Sequence, residues 1–436
     1  MESSRTQPPG LALSAKAQRT PESPISELMA AAIANPAMVN LAAGFVDDRT
    51  LPVDECAAIA RRIFSDPGRG QAALQYDTTL GLRPLRQQLL SHLERLEGRS
   101  SAELGFGIED ILVTTGSQQA LYLVGDVLVD PGDIVIAANP SYFVFTGTLQ
   151  SLGARVLGVP ADDQGLDVDA VGWLLERLAA EGRLPRVRFI YITSYCDNPT
   201  GLTLGADRRR RLVELVRRYS RDHRILILED AAYRELRYDG ESPPSIKSFD
   251  RGNEHVILSQ TFSKPFAPGL KLGYTVMPRG LMGPVLRQKG NHDFGSANLC
   301  QQIALEAMRD GSYDRHVALL RVEYRRKRDA MLAALDRHLG HCPGIHWTRP
   351  HGGMYIWLTL PEWLDTSRRG TIFSACVERG VLYVPGDLSF HPDDSGQIPR
   401  NHVRLSFGQV ALEQIEPGIQ RLAAVVREQV ARGGAA

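Results

Sequence analysis

A chain of 436 residues that is 43% hydrophobic has room for a large domain and a smaller one. Its 50 Lys+Arg balance 50 Asp+Glu, which argues against a nucleic-acid surface or an acidic tail. Cys56, Cys196, Cys300, Cys342 and Cys376 show neither CxxC nor His-paired spacing, so a disulfide framework or a zinc site is not expected and a reducing interior is.

The N-terminus lacks an apolar leader and no run is long enough to span a bilayer, so the expectation is a cytoplasmic chain. Residues 1–22, rich in Ser, Pro, Thr and Gln, read as a disordered or docking arm. A short helix is expected over Ser26–Ile33, then a strand from Val39 ending at Gly44, then helices over Val53–Ile63 and Leu82–Leu96. From Ile111 onward, short apolar runs alternate with helical stretches: Ile111–Thr114, Ile134–Ala137, Arg155–Val159, Phe189–Thr193, Ile225–Glu229, Val256–Ser259 and Gly273–Val276. That alternation predicts an α/β fold with a mainly parallel sheet flanked by helices. A helical region over Leu281–Leu339 follows. Strands are then expected at Tyr355–Leu360, Leu382–Val384 and Val403–Phe407, with a closing helix over Leu412–Val430. The expected organisation is an N-terminal segment (23–75) joining the small domain, a large domain (76–320) and a smaller α+β domain (321–436).

Ligands in such folds bind at the carboxyl ends of the strands, so the loops there carry the argument. After Val256–Ser259 comes Thr261-Phe-Ser263-Lys264, with Lys271 seven residues on. A lysine among small hydroxyls suits imine chemistry once desolvation or neighbouring charge lowers its pKa. Thr261 and Ser263 can donate to a phosphate, and Lys271 can add charge there. Asp230 ends an apolar run, where a carboxylate is costly unless paired; it could face a pyridine nitrogen or simply cap the next helix. Tyr233 lies on the same side of that turn. Asn198-Pro-Thr-Gly is a turn signal, with Asn198 also a candidate donor to a ring oxygen. At Thr114-Thr-Gly116-Ser117-Gln118 a strand ends and a helix begins, which offers free N–H groups to an anion, or merely a Ser117 cap. Tyr142, in Pro140-Ser-Tyr, could stack on a ring or pack in the core.

Taken in this order, Gly116-Ser-Gln, Pro-Ser-Tyr142, Asn198-Pro-Thr-Gly, Asp230-x-x-Tyr233, Ser263-Lys264 and Arg404-Leu-Ser resemble the class I/II aminotransferases of PLP fold type I. The resemblance runs from about residue 25 to 430. It is nearest the branch of 2-aminoadipate and kynurenine/aminoadipate aminotransferases, through Glu229-Asp-Ala-Ala-Tyr-Arg-Glu-Leu and Pro350-His-Gly-Gly-Met-Tyr-Ile-Trp. The resemblance implies pyridoxal 5′-phosphate (PLP) bound to Lys264 as a Schiff base, with Asp230 on the pyridinium, Asn198 and Tyr233 on the ring oxygen, and Tyr142 stacked. It implies Ser117, Gln118, Thr261, Ser263 and Lys271 on the phosphate. It implies that Arg404 grips the substrate α-carboxylate and that Gly44 lies over the substrate and leaves it room. It also implies a homodimer in which Tyr76 reaches the neighbouring subunit's phosphate.

This chain departs from the pattern at Asp197, where relatives commonly have an uncharged residue, and at Lys271, where many have Arg. At Ser26, members taking long acidic side chains often have a basic residue. Transamination of an L-amino acid with a 2-oxo acid is the leading expectation. The same cofactor chemistry can instead end in elimination, replacement, decarboxylation or oxidation. The aminotransferase-like regulators carry an N-terminal DNA-binding domain. Here about 25 residues precede the matching region, and no helix-turn-helix fits in them.

Overall fold

The computed structural model describes residues 11–22, 24, 35, 37–393 and 395–433. The helix expected at Ser26–Ile33 lies outside the described residues, and Ser26 with it.

An eight-stranded sheet forms the centre of the larger unit. Its strands are β2 (Ile111–Thr114), β3 (Ile134–Asn139), β4 (Arg155–Asp162), β5 (Gly165–Leu166), β6 (Val187–Thr193), β7 (Leu226–Asp230), β8 (Val256–Thr261) and β9 (Gly273–Val276). The order is β2-β9-β8-β7-β6-β3-β4-β5. Pairing is parallel from β8 through β4, whereas β9 runs antiparallel between β2 and β8, and β5 folds back on β4. Strands β2, β7, β8 and β9 are buried at every position. That is why they read as unbroken apolar runs: helices cover both faces.

Because β2 and β8 both oppose β9, the carboxyl ends of β2, β3, β6, β7 and β8 meet at one edge of the sheet. The register places Thr193 beside Asp230, and Asp230 beside Ser259. The start of β9 reaches the same edge, with Gly273 paired to both Thr114 and Thr261.

The region expected to be helical from Leu281 divides into Met282–Asp293, Asn298–Arg309 and Ser312–Leu339. The last is packed by the closing helix, Leu412–Gly433, whose Ile415, Ile419, Leu422 and Val426 share one core with Tyr324, Met331, Leu335 and Leu339. Those spacings put the four side chains on a single stripe.

A four-stranded sheet, β10 (His346–Trp347), β11 (Tyr355–Thr359), β14 (His402–Ser406) and β13 (Val384–Pro385), lies on this helix pair. The expected strand at Leu382–Val384 is two pieces. β12 (Val381–Leu382) leaves this sheet to pair with β1 (Val39–Asn40), and β13 stays. Leu41 continues the N-terminal segment between the two, donating to Leu382 O and accepting from Ser406 N. Of the first 22 residues, Ala15–Arg19 forms a helix held by Lys16 Nζ, 2.6 Å from the Tyr122 hydroxyl and 3.3 Å from Asp126.

Candidate active site

The carboxyl edge of the central sheet opens into a cavity of about 460 Å³. Gly44, Ser117, Gln118, Tyr142, Asn198, Asp230, Tyr233, Thr261, Ser263, Lys264, Lys271 and Arg404 all line it. Of the described residues expected at the site, Tyr76 alone is absent. It is exposed, with its ring edge-on to Phe294 at 5.6 Å.

One end of the cavity is built for an anion. The helix Gly116–Leu128 begins directly after β2, and its first N–H groups have no partners within the helix. Gly116 has φ +72, which only glycine adopts without strain. Gly273 packs so closely on this turn that a Cβ there would lie 2.8 Å from Ser117 N. Gln119 braces the turn, accepting from Thr115 N at 2.8 Å and donating to Asp293 at 2.6 Å. Ser263, Thr261 and Lys271 line the same cavity, the first two bonded to each other at 3.0 Å.

Deeper in, Asp230 is 5% exposed and accepts from the Tyr191 hydroxyl at 3.2 Å and from Ala232 N at 3.3 Å. Burial pushes its carboxyl up to about 6. Lys264 Nζ donates to Gly44 O at 2.7 Å. Burial lowers its pKa, and the Arg404 and Lys271 charges add to that, against the pull of Tyr355 and Asp230. The lowered value favours the free amine that imine formation needs.

The opposite wall comes from the smaller unit. Arg404 stands on β14 between the core residues Val403 and Leu405, so strand alternation turns it the other way, toward the cavity. It is 1% exposed. Its Nη1 donates to Asn198 Oδ1 and its Nη2 to Ala42 O, both at 2.8 Å, while Nε has no partner. Among the described residues no carboxylate forms an ion pair with this guanidinium. A buried cation left so is costly unless a ligand anion completes it. The loop that supplies Ala42 O and Gly44 O is braced by side-chain bonds. Asn40 Oδ1 accepts from Ala42 N and Ala43 N, and Asp47 is clamped by Lys327 at 2.6 Å.

Several lining residues escaped the sequence reading: Tyr355, Thr193, Phe45, Phe143, Val144 and Pro268. Tyr355 matters most. Its hydroxyl lies 3.0 Å from that of Tyr233, and Arg404 sits 4.5 Å over its ring. A Cβ on Gly44 would approach that hydroxyl to 2.6 Å. Its signal was the apolar strand paired with Arg404's strand, visible only once the register is known.

Asp197 does not project a free charge toward the substrate. Its carboxylate accepts from Thr200 Oγ1 at 2.8 Å and Thr200 N at 3.3 Å, bracing the turn that presents Asn198. Burial pushes it up to about 7.

The donor set fits a phosphate-bearing pyridine cofactor, with an anion cradle at one end, a buried carboxylate deep in the cavity and an amine between. Comparison with known proteins agrees. A family model for aminotransferase class I and II matches residues 36–422. Aromatic-amino-acid aminotransferase 1 of Thermococcus litoralis is 34% identical over 393 residues, covering 90% of this chain and 89% of that protein. The 2-aminoadipate transaminase of Thermus thermophilus is 33% identical over 389 residues, 89% of each. The crystal structure of Pyrococcus horikoshii kynurenine aminotransferase, a complex with PMP, superposes with a TM-score of 0.86 at 32% identity, covering 96% of this chain and 97% of that one. The chain belongs to the class I and II aminotransferases.

Proposed function

We propose that Lys264, Asp230, Asn198 and Arg404 divide among them the work of the PLP-dependent transamination that this aminotransferase performs. Bound PLP supplies an electron sink for the Cα carbanion and a carrier for the amino group. Lys264, whose pKa burial lowers, would hold the cofactor and move the proton at Cα. Asp230 would meet a pyridinium N–H, whose positive charge favours its ionised form. Asn198 keeps its amide N–H groups for the ring oxygen because its Oδ1 is taken by Arg404. Tyr233 would assist it, and Tyr142 would pack against the ring. The helix N-terminus with Ser117, Gln118, Thr261, Ser263 and Lys271 would hold the phosphate.

The observation that carries the donor's place is Arg404, a buried guanidinium with, among the described residues, an unpartnered Nε and no carboxylate ion pair. A substrate α-carboxylate supplies the missing anion, and Gly44 keeps the approach open. The amino group of an L-amino acid is thereby set near Lys264. A 2-oxo acid presenting the same carboxylate accepts the amino group in the reverse half-reaction. Supporting a homodimer, Leu74, Tyr76 and Phe294 are exposed large apolar residues, Tyr76 and Phe294 in ring contact beside the large unit's surface. All five cysteines are free, which fits the reducing cytoplasm proposed for the chain. Among the described residues no helix is long and apolar enough to cross a membrane.

The test is a spectral titration of the PLP-loaded protein with L-amino acids, without oxo acid. Conversion of the lysine-linked absorbance to that of the aminated cofactor is expected. Turnover without the aminated form would point to elimination, replacement or oxidation instead.

A further inference from the structure

We propose that the amino donor carries an apolar side chain, received by a wall of Phe45, Phe143 and Val144, and that dicarboxylic amino acids are disfavoured. This deepens the amino-transfer reading and rests on it.

The cationic side chains lining the cavity among the described residues are Lys264, Lys271 and Arg404. Each already has a place. Lys271 is assigned to the cofactor phosphate, and Lys264 is held by Gly44 O. Arg404 is fixed by Asn198 and Ala42, its guanidinium between the rings of Tyr355 (4.5 Å) and Phe143 (5.7 Å). Among the described residues no other lining cation remains for a second carboxylate.

Apolar side chains line the cavity beside these cations. Phe143 is buried with Arg404 over its ring, Val144 follows it in sequence, and Phe45 is exposed. Phe45 is 47% exposed, although Ala43 two residues before it and Val46 just after it are buried. A donor side chain covering it removes apolar surface from water. A distal carboxylate set against the same wall would lose hydration without gaining a partner. Sequence closes the obvious escape: residues 20–48, leading into this wall, contain no lysine, arginine or histidine.

The experiment compares second-order rate constants of the first half-reaction for L-phenylalanine, L-leucine, L-glutamate and L-2-aminoadipate. A parallel calorimetric titration of the PLP-loaded protein uses 3-phenylpropanoate and glutarate, which bind without reacting. The apolar donors should lead by at least about 10-fold, and 3-phenylpropanoate should bind tighter by a similar factor. In Phe45→Arg both ratios should move toward the dicarboxylates. Equal or faster reaction of L-glutamate or L-2-aminoadipate in the unaltered protein, as a cation from a second copy of the chain would produce, overturns the proposal alone. Equal or tighter binding of glutarate does the same. If no amino acid converts the bound cofactor, the amino-transfer reading falls, and this proposal falls with it.

Discussion

Arg404 and Asn198, 206 residues apart in sequence, are joined by a 2.8 Å hydrogen bond. The group assigned to the substrate carboxylate and the group assigned to the cofactor's ring oxygen are therefore one unit, closed across the two parts of the fold. Arg404→Lys keeps the charge but not the planar fork that reaches Asn198 and Ala42 at once. Its kcat/KM for an amino acid should fall by about 100-fold or more, the scale expected when a buried charge-assisted contact is lost. Steady-state kinetics check this. A primary amine lacking the carboxylate should react with variant and wild type at much more similar rates.

Gly44 and Tyr355 form a second coupled pair. Gly44→Ala drives a Cβ into the Tyr355 hydroxyl, with an expected overpacking loss of about 1–3 kcal/mol in transition-state stabilisation. Tyr355→Phe removes the colliding oxygen and also the bond to Tyr233. The double variant should be more active than the product of the single effects predicts. A double-mutant cycle on kcat/KM measures that coupling.

Asp197 makes stability depend on pH. Burial raises its folded pKa to about 7, above the ordinary carboxylate value of about 4 in the unfolded chain. The folded protein therefore holds this proton while the unfolded chain has released it, and stability falls as pH rises through that window. Asp197→Asn still accepts from Thr200 and cannot ionise. Urea unfolding of the cofactor-free protein at pH 5 and pH 8 should show a smaller loss in the variant than in the wild type.

Tyr76 offers a test of the dimer. Its side chain is exposed and contributes nothing to the cavity of its own subunit. Tyr76→Phe should leave the unfolding transition unchanged within about 0.5 kcal/mol, as for an ordinary surface position. If it reaches the phosphate of a neighbouring subunit, the variant should bind PLP about 3- to 10-fold more weakly, the loss of one hydrogen bond. Equilibrium dialysis against PLP, beside analytical ultracentrifugation, reads both.

Much of the site was legible because chemistry-bearing residues stand just past apolar runs. Asp230 closes β7, and the Thr261–Lys264 turn follows β8. A short unbroken apolar run fixes a buried strand, and the polar residue after it has nowhere to face but the sheet edge. The antiparallel course of β9 and the division of Val381–Pro385 between two sheets were not legible, because apolar runs carry no direction. Tyr355 read only as one apolar strand residue, since its bonds to Tyr233 and its place over Arg404 come from register between distant segments. Asp197 looked like an added charge, since a local Asx-type bond to Thr200 cannot be told from a solvent-facing carboxylate by identity alone.

The central claim is that Lys264 is the residue that holds the cofactor. Borohydride reduction of the PLP-loaded protein, followed by digestion and peptide mass spectrometry, tests it most directly. The account predicts one phosphopyridoxyl group per chain, on the peptide containing Lys264, and none in Lys264→Ala. A phosphopyridoxyl group found on Lys271 or another lysine, or an unmodified Lys264 in protein that retains PLP, would contradict it.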